Sequence, residues 1–319
     1  MPATLNLSSR VAGLLDQVRV SDGGHRAETG GESYETGSPQ ALVQKLASVM
    51  YQTLHTGRAS AMESTPRTWR DAAFDERLRL TLEGRTVTRG ATVLQAGEDH
   101  SVVVLDGVRV AVPPESLRET PAGGAEVVLP AARPGLSPGF FFAGSQATAG
   151  SGATLRLYAH VADPDAAPQV WRAVVDFLDG ARTPWRAKIS SSLLLYPRTD
   201  ALVVYLPRPG WKQARACAEH LQATGLLAPG TSPFVRPLTE SVGCAFEPDD
   251  QRPSRRGMSF GQHRTHVMAE ALVRHATLPP GATESREECL TAAFIDAGID
   301  PAEPARNLSS PLVDILHTF

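Results

Sequence analysis

The sequence predicts an α+β protein organised around one mixed sheet, with a smaller helical and β-rich unit ahead of it. Three patterns carry this reading. Residues 153–248 alternate strand and helix signals in the order β-α-β-β-α-β, the split βαβ arrangement of ferredoxin-like sheets. Residues 78–112 switch to strand period around glycine turns. Two helical segments then follow the last strand.

Taken in order, residues 21–38 ("SDGGHRAETGGESYETGS") are polar and rich in glycine, which predicts a mobile loop. A helix follows. Ser38 can cap it, Pro39 suits its first turn, Leu42, Leu46, Val49, Met50 and Leu54 form one apolar stripe, and Gly57 ends it. "LRLTLEGRTVTRG" and "SVVVLDGVRVAV" each place a glycine turn between alternating segments, and Asp106-Gly107 is a hairpin signal. Residues 113–139 are rich in proline and glycine and read as a connector.

The second half is more regular. "ATLRLYAHV" (153–161) alternates as a strand, and "PQVWRAVVDFLDG" (168–180) is a helix that turns Val170, Trp171, Val174, Val175 and Leu178 inward. Strands follow within 184–196 and 200–207, then an amphipathic helix over 211–225 and a last strand over 240–248. One sheet with helices on one face is the expected packing. Further helices are expected over 262–276 and 285–297, where Ser285 and Glu288 match a capping box. The division expected is 1–135, a helix plus a small β-rich unit for docking and substrate guidance, and 136–319, the α+β catalytic domain.

Composition bounds the function. The 319 residues are 42% hydrophobic with a net charge of -3, enough for one large or two smaller cores. No apolar run approaches the roughly 18 residues of a membrane span, and the first residues lack the pattern of a signal peptide. Cys217, Cys244 and Cys289 are odd in number, widely spaced and without zinc spacing. These features predict a cytoplasmic protein with no membrane partner, and the near-neutral charge argues against nucleic acid.

Polar residues gather in two places. Along "TLRLYAH", Arg156, Tyr158 and His160 share a strand face, and along "PWRAKIS", Arg186, Lys188 and Ser190 do. If these strands are neighbours, one sheet face is cationic, and clustered cations repel unless an anion lies between them. Arg198, Asp200 and Tyr205 belong to the next strand. The second cluster is "RPSRRGMSFGQHRTH" (252–266), where Ser259, His263 and Arg264 stand at a helix start, a place where anions bind. Lysine is scarce: of 31 basic residues only Lys45, Lys188 and Lys212 are lysines. An amine can lose its proton near neutrality and act as a base; a guanidinium cannot. No Walker loop or nucleophile elbow is present and no metal-ligand spacing is convincing, which weakens kinase and metallohydrolase readings.

The ordered segments "GFFFAGS", "LRLYAHV", "PWRAKI", "YPRTDALVVYL", "SPFVRPLTESVGCAFEP" and "SFGQHR" resemble the Hop-A type III effector family of plant-pathogenic bacteria, over roughly residues 40–276. Relatives also stand alone in actinobacterial clusters for class V lanthipeptides and thioamitides. The family is similar in fold to phosphothreonine lyases, which use a lysine base with arginines on the phosphate. The resemblance implies β-elimination of phosphate from phosphoserine or phosphothreonine of a precursor peptide, leader and phosphorylated core, after a kinase-like phosphotransferase subunit has made the ester. Elimination of phosphate, already a good leaving group, would need no metal or cofactor. The resemblance also implies Lys188 as base, Arg156, Arg198 and Arg264 on the phosphate, and His263 as a group that protonates or hydrogen-bonds the phosphate. Tyr158, Arg186 and Ser259 are further expected contacts. Val235 departs from the family pattern, which has Thr there. Two other readings are a non-catalytic peptide- or kinase-binding partner and a host-targeting effector that binds proteins.

Overall fold

The structure is a computed structural model that describes residues 6–61, 71–121, 123–146 and 152–311. A short helix, α1 (Ser9–Ala12), precedes a three-stranded meander of β1 (Val18–Ser21), β2 (Arg26–Thr29) and β3 (Glu32–Glu35). Half of the expected loop over 21–38 is thus strand. Its strands are only four residues long and alternate charges with the small buried residues Ala27 and Thr29, so they carry no hydrophobic signal.

Helix α2 (Pro39–Met50) begins as its sequence predicts, with Ser38 accepting from the Ala41 amide at 3.2 Å, and buries Leu42, Leu46, Val49 and Met50. It then widens into a π-helical turn, Tyr51–His55, before Gly57 turns away at φ 72°. After α3 (Ala72–Leu80) comes a five-stranded sheet in the order β6-β5-β4-β8-β7. Its strands are β4 (Thr86–Gln95), β5 (Ser101–Leu105), β6 (Val108–Val112), β7 (Leu117–Glu119) and β8 (Ala125–Pro130). β5 and β6 form the hairpin around Asp106-Gly107, and the small core beneath holds Val103, Val112 and Val127.

The main sheet has seven strands: β9 (Ala132–Ser137), β10 (Phe140–Gly144), β11 (Leu155–Val161), β12 (Arg186–Ser190), β13 (Arg198–Leu206), β14 (Arg236–Pro237) and β15 (Val242–Phe246). Their order is β14-β15-β11-β13-β12-β10-β9, with every neighbouring pair antiparallel. Helix α4 (Ala167–Gly180) joins β11 to β12 with β13 lying between them, and α5 (Ala214–Ala223) joins β13 to β15 with β11 between them. The stretch read as a connector, 113–139, instead supplies β7, β8 and β9. Pro134 and Gly135 lie on β9, an edge strand, where a missing amide donor costs no ladder bond. A boundary at 135/136 therefore falls inside β9, and α2 from the N-terminal part packs on α6 (Phe260–Ala276) from the C-terminal part.

Helices cover both faces of this sheet, where the sequence reading expected one. On one face Leu155, Leu157, Val204 and Leu206 pack on Val170, Trp171, Val174 and Leu178 of α4 and Leu221 of α5. Burying a side chain of that size contributes about 1.5–3 kcal/mol. On the other face Tyr158, Val203 and Ala245 meet α2, α6 and α7 (Arg286–Asp296). The polar positions on that face are spaced by apolar ones, and these need cover too. Among the described residues no helix is long and apolar enough to cross a membrane.

Candidate functional site

The register of the sheet assembles the first cluster. Tyr205 on β13 is aligned with Arg156 on β11 and with Arg186 on β12. Both guanidinium groups lie over its ring, at 5.0 and 5.7 Å from the centroid. The aromatic face thereby separates two like charges and attracts each. In the next row Lys188 is aligned with Val203 and with Phe142 of β10. Its amine sits 3.9 Å from the centroid of the Phe140 ring, which Arg198 also approaches at 5.7 Å. The pairing of β11 with β13 is irregular between Ala159 and Val161, and beyond that point Arg198 and Asp200 join the same face.

Each buried arginine spends one edge on a carboxylate. Arg198 grips Asp200 through Nε (2.7 Å) and Nη2 (2.9 Å), and its Nη2 also donates to the Tyr51 hydroxyl at 3.1 Å. Arg156 grips Glu247 in the same forked way, and its Nη1 reaches toward the Tyr158 hydroxyl at 3.5 Å. The Nη1 edges of both arginines meet no carboxylate among the described residues. Arg186 is exposed and has no acidic partner among them either.

The π-helical turn carries two of the partners. Tyr51 and His55 are stacked at 5.5 Å, both directed at the Arg198–Asp200 pair. π-helical turns concentrate at functional sites. His55 Nε2 lies 3.8 Å from Asp200 Oδ2 and its Nδ1 bonds Ser232 Oγ at 3.0 Å. Burial, reinforced by Arg198, Arg156 and Lys188 against the pull of Asp200, lowers His55 to about 4, so the imidazole is neutral. A Cβ at Gly261 would come within 2.0 Å of this ring, so α6 must begin with glycine at that position to lie over it.

Lys188 is the titratable centre. Burial lowers its amine to about 8; Arg156 and Arg198 push the same way, while Asp200 and Glu247 oppose. Among the described residues it has neither hydrogen-bond acceptor nor ion-pair partner, only the Phe140 ring. Asp200, though buried, is held well below the usual carboxylate range by Arg198, His55 and Lys188. The face therefore offers an amine that is partly neutral near pH 8 beside permanently charged donors, the pairing that general-base chemistry next to an anion requires. Ser190, expected on this face, is fully buried, and its Oγ has no partner among the described residues.

The second cluster is directed elsewhere, and this corrects three expectations. Ser259 is the cap of α6: its Oγ accepts from the Gln262 amide, and Gln262 Oε1 accepts from the Ser259 amide. His263 is buried, with Nδ1 2.8 Å from Arg264 Nη1 and Nε2 3.1 Å from Asp250. Since Nδ1 accepts from the guanidinium, Nε2 carries the proton and donates to Asp250. Burial and Arg264 lower this imidazole to about 4. Arg264, fully buried, donates to the carbonyls of Pro304 (2.9 Å) and Arg306 (3.2 Å) and to Asn307 Oδ1 (2.8 Å). Its guanidinium packs on Phe260, which in turn packs on Tyr158. Arg252 and Arg255 are neutralised by Asp250, Asp296 and Glu270. Arg256 apart, the cations of this run are thus taken up by acids and carbonyls of the fold. Val235 is a core residue, buried against Gly243.

Sequence reasoning missed Tyr51, His55, Phe140, Ser232 and Glu247 as neighbours of the cluster. Asp200 alone carried a readable signal, two residues from Arg198 on an extended segment. Among the described residues no group of three metal-ligating side chains converges.

Two solved structures are similar in outline. The effector protein from Pseudomonas syringae pv. tomato strain DC3000 aligns with a TM-score of 0.46 and 15% identity, over 84% of this chain and 95% of that one. The effector protein from Pseudomonas syringae pv. syringae strain 61 aligns with a TM-score of 0.46 and 16% identity, over 84% and 96%. No curated protein matches the sequence. The model of the HopA1 effector protein family matches residues 131–306, which run from β9 through all of α7 and include every residue of the cationic face except Tyr51 and His55. That segment is more than half of the chain, and the chain belongs to the HopA1 effector protein family.

Proposed function

We propose that the cationic sheet face binds a phosphorylated serine or threonine side chain of a protein or peptide and that Lys188 eliminates its phosphate. The observation that carries this is the unpartnered, depressed amine of Lys188 beside arginine edges that face no carboxylate. In the proposed step the neutral amine takes the α-proton. The Cα–H electrons form the Cα=Cβ bond, the Cβ–O bond breaks, and phosphate leaves with its electron pair. Arg186 and the Nη1 edges of Arg156 and Arg198, which face no carboxylate, neutralise the leaving group. The products are inorganic phosphate and dehydroalanine or dehydrobutyrine. Ser259, His263 and Arg264 have no part in this step, since each is engaged in holding α6 and the segment after α7.

Membership of an effector family supports a target that is a host protein, bound or modified by this chain. The same chemistry would serve a precursor peptide phosphorylated by a kinase-like partner, with the five-stranded sheet, which exposes Val93, Leu94 and Val108, as the partner's docking surface. Co-purification with such a kinase would support that second target. Mass spectrometry of phosphoserine and phosphothreonine peptides incubated with the pure protein tests the elimination itself. Loss of the mass of one phosphoric acid supports the lyase; tight binding of the phosphopeptide with no change of mass leaves a binding protein.

A further inference from the structure

A groove adjoins the cationic face through Tyr51. It lies between α2 and α6 and has a volume of about 380 Å³. Gln44, Ser48 and Tyr51 line one side, and Arg256, Gln262 and His266 the other. Tyr51 belongs to both places: it walls the groove, and its hydroxyl accepts from Arg198 in the cationic cluster. Among the described residues no Asp or Glu lines the groove. Arg256 is exposed and, among the described residues, meets no acid, although its neighbours Arg252 and Arg255 are both neutralised. His266 keeps its acid partner, Glu270, outside the lining. The remaining polar groups are neutral. Gln44 and Ser48 stand one helical turn apart and are exposed, and among the described residues the amide nitrogen of Gln262 has no acceptor, since only its oxygen serves the cap. Such side chains both donate and accept, which suits the alternating N–H and C=O groups of an extended backbone.

We propose that this groove receives the polypeptide segment flanking the phosphorylated residue, and that Arg256 selects an acidic side chain within that segment. The proposal rests on reading the sheet face as the phosphopeptide site, and it adds a sequence preference to that reading. Tyr51 would then report groove occupancy directly to Arg198.

The test measures fluorescence anisotropy with labelled phosphoserine peptides that carry either acidic residues or alanines beside the phosphoserine, and elimination is followed separately on a minimal phosphopeptide lacking flanks. The wild-type protein should bind the acidic peptide about fivefold more tightly than the alanine one, as expected for an exposed ion pair, with the difference shrinking at high salt. Arg256→Glu should remove or reverse that preference, and Ser48→Trp, which fills the groove from an exposed position, should weaken both long peptides while leaving the minimal one unchanged. A preference that survives Arg256→Glu, or unchanged long-peptide binding in Ser48→Trp, overturns the proposal. The two readings separate cleanly. An Arg256-dependent preference without elimination retains the groove and removes the lyase, and elimination without any flank preference does the reverse.

Discussion

Replacing Lys188 by methionine should stabilise the protein at neutral pH while abolishing elimination. Lys188 is mostly enclosed and its amine is pushed from an ordinary 10.5 down to about 8. That difference corresponds to on the order of 3 kcal/mol of strain on the charged form. Because the folded-state value lies below the unfolded one, the folded protein binds fewer protons between about 8 and 10.5, and its stability rises with pH across that window. Below about 8 both states hold the ammonium and the full cost is present. Above 10.5 both are neutral and the cost has gone. Methionine keeps much of the volume and retains contact with the Phe140 ring through its thioether. Asp200 keeps Arg198 as its counter-ion, so the substitution strands no buried charge. Urea unfolding of wild type and Lys188→Met at pH 7 and pH 10.5 should show the variant ahead by about 2–3 kcal/mol at pH 7 and level at pH 10.5. A variant that is less stable at pH 7, or an advantage that does not change with pH, would refute the argument that the amine is held there against its solvation.

Other outcomes follow from the same geometry. The wild-type elimination rate should rise about tenfold from pH 7 and level off above pH 9, as the amine with a value of about 8 loses its proton; a rate flat over that range would exclude Lys188 as the base. Asp200→Asn removes a group that raises the Lys188 value, so the midpoint of that rise should move to lower pH. Arg186→Ala, at an exposed position, should leave the thermal midpoint unchanged and weaken phosphopeptide binding about tenfold in an anisotropy titration. Arg264→Ala should instead cost about 3 kcal/mol or more in denaturant unfolding, since it leaves buried carbonyls without donors.

The parts of the fold with strong period were legible in the sequence. Helix α4 has its buried stripe of Val170, Trp171, Val174, Val175 and Leu178 written at helical spacing, and the capping box at Ser285 and Glu288 was a local pattern that needs no tertiary help. The strand faces carrying Arg156, Lys188 and Arg186 were legible for the same reason, since alternation alone assigns them. What was hidden was pairing. "SFGQHR" looks like an anion site until Asp250, Glu270 and the carbonyls after α7 are known to surround it. A sequence lists its cations without saying which acids the fold will bring to them. Tyr51 and His55 were hidden for a different reason: they fall in the last turns of the expected helix but off its apolar stripe, and only the widened π turn aims both at Arg198 and Asp200.

The segment after α7 gives the cationic face a place in the order of synthesis. Asn307 donates to the Glu247 carbonyl at 2.7 Å and accepts from Arg264, while the Phe246 amide is taken by the Ala305 carbonyl. Glu247 is the residue that orients Arg156. As the chain emerges from the ribosome, β11, β12 and β13 can pair before residues 304–310 appear, yet until they do Arg264 has only His263 Nδ1 to accept from it and the Glu247 backbone has only the Thr154 carbonyl. The cationic face is consequently finished by residues made after its strands, and a nascent chain that has built the sheet still lacks a completed anion site.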